Sequence, residues 1–356
     1  MKKGVVFSLV TTVIIVVLSK SVWAIDKVSR KSTTTLAQGR ITEVTKQGIT
    51  VKPRLGSAVM VPANDITTIR WDGAPKEFNL ALQDEDSGRF EKALERYTKA
   101  AQAAPASAES LKTDIQYLIA RTTAKIALVH RKKLDAAIKK LEAFTKTGAD
   151  HFRYYESMRF LGRVYLAKQE FDKARMAFET FGKAPWSDYK MAAKIASARV
   201  MLKQNNVDGA LAVYNDLIET GAKANSPGEA SCQVEAMLGR ATCLIRKKKF
   251  NDAIKSLEDV ITQAAIHDNR TQAEAYVRQG DCFRQLGRTK EAILAYLHVP
   301  VLFPKERDLH SESLYHLARL WNAVGHSERG EEARAILATE YPNSKWTKKL
   351  ATAGSG

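Results

Sequence analysis

The chain has 356 residues, of which 45% are hydrophobic and 27% charged, a composition typical of a folded protein and not of a disordered one. Its 56 lysines and arginines exceed its 39 acidic residues, which gives a formal net charge of +17. Three cysteines, Cys232, Cys243 and Cys282, are too few and too odd in number for a disulfide framework, and we interpret them as buried apolar residues.

Residues 1–24 have the pattern of a secretory signal peptide. Two lysines precede a run without charge from Val5 to Leu18, and Ala24 follows where a signal peptidase would cleave. The run is shorter than the roughly 20 apolar residues that span a bilayer. We therefore expect a cleaved signal and an exported protein of the periplasm or cell envelope, with an uncleaved anchor in the inner membrane as the alternative. Outside the cytoplasm, a basic chain matches acidic proteins or anionic lipid and polysaccharide, and nucleic acid is not expected.

Residues 25–75 are predicted to form a small β module and a linker. β-branched runs separated by turn residues predict four strands, at residues 39–44, 49–51, 58–61 and 66–71. Four short strands in so short a segment predict a small antiparallel barrel or curled sheet that packs on the first helix. Capping of the first hairpin is the preferred role because terminal repeats need a cap, and a binding role stays open.

From residue 76 to about 350, a pattern of small and large residues recurs. A small residue is followed four places on by an aromatic or aliphatic residue, and three places further by an apolar one. The six sets are Ala93/Tyr97/Ala100, Ala137/Leu141/Phe144, Ala174/Phe178/Phe181, Ala210/Tyr214/Leu217, Ala253/Leu257/Val260 and Ala292/Tyr296/Val299. Twelve places before five of these sets lies another small residue, at Ala81, Gly162, Ala198, Ala241 and Gly280. A seventh unit is expected between Leu317 and Tyr341, and residues 351–356 are expected to form a flexible tail.

Small residues at this spacing allow two antiparallel helices to cross closely, while large residues on either side fill the grooves between them. A single hairpin of this kind leaves an apolar face exposed and must stack on a neighbour. The sequence therefore predicts a mainly α fold. Its main part is an α-solenoid of about six or seven helical hairpins, preceded by the small antiparallel β module and the N-terminal signal segment.

The pattern resembles the tetratricopeptide-repeat family. The clearest matches are Gly280-x-x-Phe283 with Ala292-x-x-x-Tyr296-x-x-Val299, and Gly162-x-x-Tyr165 with Ala174-x-x-x-Phe178-x-x-Phe181. Steps between successive second-helix small residues run from 36 to 44 residues, longer than the family's period of about 34. The resemblance implies a protein-binding scaffold whose ligand groove is lined by the first helix of each hairpin. The ending at residues 340–344 looks like that of exported bacterial members.

Motifs for catalysis are absent from the sequence. It contains no phosphate-cradling glycine loop, no nucleophile elbow, no paired-cysteine zinc spacing and no zinc-protease histidine pair. No two of its seven histidines are three or four residues apart, the spacing that would put two ligands on one helix face. The sequence therefore indicates a non-enzymatic protein with no cofactor and no metal site.

Arginine is frequent on the expected groove face. The resemblance assigns the groove-lining position to the residue after each small residue of a first helix, and arginine fills three of five such places. The candidate groove residues are Arg159, Arg163, Arg199, Arg278, Asp281, Arg284, Tyr315 and Arg319. Arginine forks suit carboxylates and phosphates, which indicates partner proteins with acidic segments. The alternative is that these arginines are solvated or paired with Glu156, Glu274 and Glu312. The family's lysine-and-asparagine clamp for a terminal carboxylate is absent.

A second set of basic residues lies in the turns within the hairpins. The candidates on this basic edge are Arg131, Lys132, Lys133, Arg246, Lys247, Lys248 and Lys249. Because equivalent turns of stacked repeats align, their charges would form a stripe facing an anionic surface. The alternative is ordinary solvated turns, since exposed charge needs no partner.

The expected function is therefore a non-enzymatic protein–protein interaction scaffold of the bacterial cell envelope, binding partners through the concave groove. The alternative is a structural protein that contacts anionic lipid or polysaccharide through the basic edge. The two functions differ in which cationic side chains the partner contacts.

Overall fold

The computed structural model of the chain describes residues 25–220, 224–264 and 268–353. The predicted signal segment lies outside these residues, as do residues 354–356 of the predicted tail. Within the described residues a small sheet is followed by seven helical hairpins and a last short helix, so the predicted mainly α solenoid with six or seven hairpins is confirmed. The hairpins are α1(Lys76–Asp86)/α2(Phe90–Ala103), α3(Glu109–His130)/α4(Leu134–Thr147), α5(Tyr154–Ala167)/α6(Phe171–Gly182), α7(Ser187–Lys203)/α8(Val207–Thr220), α9(Pro227–Arg246)/α10(Phe250–Gln263), α11(Asn269–Gln285)/α12(Thr289–Leu302) and α13(Arg307–Ala323)/α14(Ser327–Glu340). Helix α15(Lys345–Ala353) follows them.

The β module is an antiparallel sheet of five strands in the order β4-β3-β2-β1-β5. The strands are β1(Asp26–Arg30), β2(Ala37–Thr45), β3(Gly48–Lys52), β4(Val59–Pro62) and β5(Ile66–Arg70), with a short 3-10 helix at Ala63–Asp65. The prediction of four strands was wrong by one, because it missed β1. That strand has a single buried hydrophobic residue, Val28, and so lacks a local apolar signal. It is fixed by pairing with β2 on one side and β5 on the other.

The helices of a hairpin cross where one of them carries a small residue. Ala174, Ala210 and Ala292 are fully buried, as the predicted packing requires. A Cβ added to Gly162 would lie 2.5 Å from a ring carbon of Phe178, a distance at which the ring must move. Large side chains therefore fill the space that the glycine leaves open.

Helix ends follow the local signals. Proline lies one residue beyond the C-cap of α2, and proline also follows within two residues of the ends of α12 and α14. At the start of α9, Ser226 accepts a hydrogen bond from the amide of Glu229 at 3.2 Å, and Pro227 takes the first helical position. The Glu229 carboxylate accepts from the amide of Asn225 at 2.7 Å, one residue before the N-cap. These side chains therefore fix the start of α9 at Pro227.

The β module packs against more than the first hairpin. Its buried core is continuous with Phe78 of α1, as expected for a cap. Beyond it, the Trp71 indole donates to Asp114 of α3 at 2.9 Å, and Asn64 donates to Asp188 of α7 at 2.9 Å. The ammonium of Lys46 lies 4.4 Å from the ring centroid of Tyr154 on α5. The module therefore bridges the first four hairpins.

Replacement of Gly162 by alanine tests the close crossing. Overpacking typically costs about 1–3 kcal/mol, more than the roughly 1 kcal/mol of helix propensity that alanine gains. We expect a lower urea midpoint for Gly162→Ala. The double variant Gly162→Ala/Phe178→Leu should be less destabilised than the sum of its two single variants, because the smaller side chain relieves the clash. Strict additivity would contradict the contact.

The buried ion pair at the seam between module and array gives a second prediction. Arg153 donates to Asp114 at 3.1 Å, and both side chains are almost wholly buried. Arg153→Met should lower the free energy of unfolding by about 3–5 kcal/mol, because it leaves a buried carboxylate without its cation. The matched control is Arg175→Met, whose exposed pair with Asp172 should be worth about 1 kcal/mol or less. Equal losses in urea unfolding would argue against the buried pair.

Candidate functional site

The first helices of the hairpins carry the candidate groove residues, and ion pairs connect neighbouring first helices. Glu85 of α1 binds Arg121 of α3 through two contacts of 2.6 and 3.0 Å. Arg199 of α7 pairs with Glu235 of α9. A paired guanidinium still has free N–H groups, but its charge is largely balanced. These ion pairs between first helices therefore neutralise part of the positive charge on this face.

Four of the candidate arginines have a carboxylate partner within 4.0 Å, and one of them is Arg284, 3.8 Å from Asp281. Arg159 donates to Glu156 at 3.1 Å, and Arg199 is held by Glu235. Arg278 contacts Glu312 at 3.0 Å. Glu156 and Glu312 are two of the three carboxylates that the alternative named, whereas Glu235 is not among them.

Arg163 differs from its neighbours. Within the described parts of the chain it has no carboxylate within 4.0 Å, and its guanidinium lies 5.3 Å from the ring centroid of Phe160. Loss of solvent in the groove lowers its pKa to about 10, and the positive charges of Arg159 and Arg199 contribute in the same direction. An incoming anion would relieve this repulsion, so Arg163 is a favourable contact point for an acidic group.

A second unbalanced cluster lies at the end of the array. A pocket of about 250 Å³, here called the C-terminal pocket, is lined by Arg284, Tyr315, His316, Arg319, Leu320, Ala323 and Lys349. Arg319 donates to the Tyr315 hydroxyl at 3.0 Å, and the Lys349 ammonium lies 5.2 Å from the ring centroids of both Tyr315 and Trp346. Over the described ranges, neither Arg319 nor Lys349 has a carboxylate within 4.0 Å. Cations on aromatic surfaces form a site suited to a carboxylate next to an apolar group.

Asp281 lies next to this pocket and contacts several of the surrounding side chains. It accepts from the Tyr296 hydroxyl at 2.8 Å and from Arg278 at 2.7 Å, and Arg284 lies 3.8 Å away. The His316 ring stacks on Tyr296 with a centroid distance of 4.7 Å. Asp281, a candidate groove residue, is therefore saturated by its own neighbours and positions the arginines around it.

Sequence reasoning missed Lys349 and Trp346. Both belong to α15, which follows the last recognisable repeat and contains none of the small-residue pattern. The only available signal was their spacing of three residues, which puts two side chains on one face of a helix. Their placement against Tyr315 depends on how α15 packs on α13.

The basic edge is more balanced than its sequence indicates. Turn residues of one hairpin pair with the first turn of the preceding second helix, as in Lys168 with Asp135 at 2.7 Å and Lys247 with Asp208. Arg246 donates to the carbonyl of Leu202 at 2.8 Å. The five other candidates are exposed and have no acidic partner among the described residues. They are Arg131, Lys132, Lys133, Lys248 and Lys249.

Over residues 25–220, 224–264 and 268–353, no group of three or more histidine, cysteine or acidic side chains is placed to hold a metal ion. The helices in the same ranges are too short or too polar to cross a membrane. All three cysteines are buried and unpaired with each other, and burial raises the pKa of the Cys232 thiol to about 12.

Hairpins stacked in this way, each with its first helix on a shared face, define the class of α-solenoid repeat proteins. Residues 161–230 and 238–306 match the family model of the tetratricopeptide repeat. These residues are therefore tetratricopeptide repeats, as the resemblance implied. No curated protein sequence matches the chain.

Solved structures share the fold at low sequence identity. A tetratricopeptide repeat protein from Parabacteroides merdae has 14% identity and a TM-score of 0.51, covering 79% of this chain and 98% of its own. The apo form of RapI has 13% identity and a TM-score of 0.52, covering 77% of this chain and 79% of its own. A Rap protein solved in complex with competence and sporulation factor has 14% identity, a TM-score of 0.50 and coverages of 77% and 79%. At these identities the likeness concerns the fold.

Acid sensitivity follows from the histidine beside the C-terminal pocket. Burial lowers the pKa of His316 from 6.5 to about 4, so the unfolded chain binds one more proton than the folded chain between these pH values. The free energy of unfolding should therefore fall as the pH drops from 6.5 to 4, by up to roughly 3 kcal/mol from this group.

His316→Phe keeps an aromatic ring on Tyr296 and should flatten this part of the pH dependence, measured by urea unfolding at pH 7, 5.5 and 4. The matched control is Val164→Ala, which removes buried apolar atoms without removing a titrating group. It should lower stability equally at each pH. A parallel pH dependence for His316→Phe and the unmodified chain would contradict the assignment.

Proposed function

We propose that this protein is a non-enzymatic scaffold of the bacterial cell envelope. It binds acidic segments of partner proteins along the face formed by the first helices of its tetratricopeptide repeats. The observation that carries the proposal is the pair of arginines without acidic partners in the described chain, Arg163 and Arg319, on a face where neighbouring arginines are balanced. Export rests on the sequence of residues 1–24.

A protein segment fits this face better than a small molecule. Arg163 lies on the third hairpin and Arg319 on the seventh, so one ligand that contacts both must extend across several repeats. The C-terminal pocket adds aromatic surface beside its cations, which suits an acidic residue next to an apolar side chain. Solenoid repeats create extended concave surfaces of this kind. Together these features support an extended acidic and apolar segment as the ligand.

The second candidate function is contact with anionic lipid or polysaccharide through the basic edge. One observation favours it. Five of its seven candidate side chains are exposed and have no acidic partner among the described residues, so their charge is available to an anionic surface.

Loss of the two unbalanced arginines tests the scaffold function. In native cells that carry Arg163→Gln/Arg319→Gln, crosslinking followed by mass spectrometry should recover the main partner at about one tenth of its former yield or less, because two charge-assisted contacts are lost. The matched control removes the same charge from the basic edge through Lys132→Gln/Lys249→Gln. That control should keep the partner.

The opposite result would favour the second candidate function over the scaffold function. If only the edge variant loses its crosslinks, and its binding to anionic vesicles falls steeply with salt, the basic edge is the binding surface. Identical partner profiles for both variants would show that Arg163 and Arg319 are not part of the binding site.

A further inference from the structure

A second polar cavity lies where the β module meets the array. This seam pocket, with a volume of about 620 Å³, is bounded by β1 and β5 on one side and by α1 and α3 on the other. Its size lies within the range of roughly 300–1,000 Å³ in which proteins hold small ligands. Most of its lining side chains are polar or charged, in contrast to the mainly apolar lining of a typical small-molecule pocket.

The array contributes two cations that are fixed in place. Arg121 is held by the two oxygens of Glu85 at 3.0 and 2.6 Å, and Lys125 reaches the same carboxylate at 2.9 Å. Glu85 is almost wholly buried and also accepts from the Tyr97 hydroxyl at 2.8 Å. Arg121 also lies 5.4 Å from the ring centroid of Tyr117. Two of the five N–H donors of Arg121 bind Glu85. Because these contacts hold the guanidinium in place, its remaining donors can bind a ligand without a further loss of side-chain freedom.

The β module contributes two further cations. Lys27 of β1 and Arg70 of β5 are exposed and line the same pocket. In the part of the chain that the structure describes, neither makes an ion pair within 4.0 Å. Four basic side chains from the sheet and the array therefore surround one cavity, while the single buried carboxylate among them is already saturated.

The pocket also has acceptor groups. Asp72 and Asp86 are exposed at its wall, and the amides of Asn79 and Gln83 line it. Such groups accept hydrogen bonds from hydroxyl groups of a ligand, whereas a bare inorganic anion would leave them unused.

We propose that the seam pocket binds a small hydroxylated polyanion, either a polycarboxylate or a phosphorylated polyol. The cations of Lys27, Arg70 and Lys125 contact its anionic groups, and the acidic and amide side chains accept from its hydroxyl groups. The site exists only when the β module is docked on the array, since each contributes two of the four cations. The module is then a ligand-binding element as well as a cap.

Calorimetric titration of the full chain at constant ionic strength tests this site. The probes are citrate, glucose 6-phosphate and, as the uncharged comparison, glucose. We expect citrate or glucose 6-phosphate to bind with a dissociation constant below about 1 mM, and glucose to give no heat of binding. Binding of citrate alone assigns the site to polycarboxylates, and binding of glucose 6-phosphate alone assigns it to phosphorylated polyols. No binding of either anion would overturn the proposal.

Variants on both sides of the pocket show whether it is composite. Lys27→Gln/Arg70→Gln on the sheet and Lys125→Gln on the array should each weaken the bound anion about tenfold or more. The matched control is Lys52→Gln/Arg54→Gln, which removes two exposed cations of the same module outside the pocket and should keep the affinity. The thermal melting of Lys27→Gln/Arg70→Gln should be unchanged, because both side chains are exposed.

Two results would place the anion elsewhere. An unchanged affinity for Lys125→Gln would confine binding to the sheet and refute the composite site. A tenfold loss in Arg319→Gln, with no loss in the sheet variant, would assign the anion to the C-terminal pocket. That second result would refute the seam pocket as the anion site without contradicting the proposed binding of partner proteins.

Discussion

The close crossing of two helices at a residue with almost no side chain is the contact that sets the geometry of the array. A Cβ at Gly162 would lie 2.5 Å from the ring of Phe178, and one at Gly280 would lie 2.7 Å from the ring of Tyr296. This contact brings each second helix against its first helix. Stacking then buries the remaining apolar face of one hairpin against the next. The first helices consequently lie side by side, and their side chains become a continuous surface.

That surface would be strongly repulsive if all of its arginines were unpaired. Carboxylates pair with four of the six candidate arginines. Glu235 and Glu312 reach Arg199 and Arg278 from the next first helix, so these two pairs connect adjacent hairpins. Arg163 and Arg319 are left without an acidic partner in the described chain. These exceptions are informative because the charge of the neighbouring arginines is neutralised by carboxylates, whereas theirs is not. The proposed partner site follows from Arg163 and Arg319 for this reason.

Both ends of the array are closed by elements that are not repeats, and each closure adds cations to a cavity. The β module brings Lys27 and Arg70 to the seam pocket, and α15 brings Lys349 to the C-terminal pocket. A terminal repeat needs such a cover because its apolar face has no neighbour. The Trp71–Asp114–Arg153 contacts fix the module by burying polar groups that satisfy one another. The end caps of this chain are therefore also where its cavities form.

The repeats were predictable from the chain alone, since the spacing of small and large residues is a local property of a helix pair, and this spacing predicted six or seven hairpins. The family resemblance also predicted a cationic face, since it assigns the groove-lining position to the residue after each small residue of a first helix. The sequence could not decide which arginines are paired, since Glu235 lies 36 positions from Arg199 in sequence. Strand β1 could not be predicted for a related reason. It is fixed by pairing with β2 and β5 in the sheet, and its own residues carry little local signal. Only the tertiary structure brings Lys349 to Tyr315 and Lys27 to Arg121, because charge balance and cavities arise from distances between elements and not from their order.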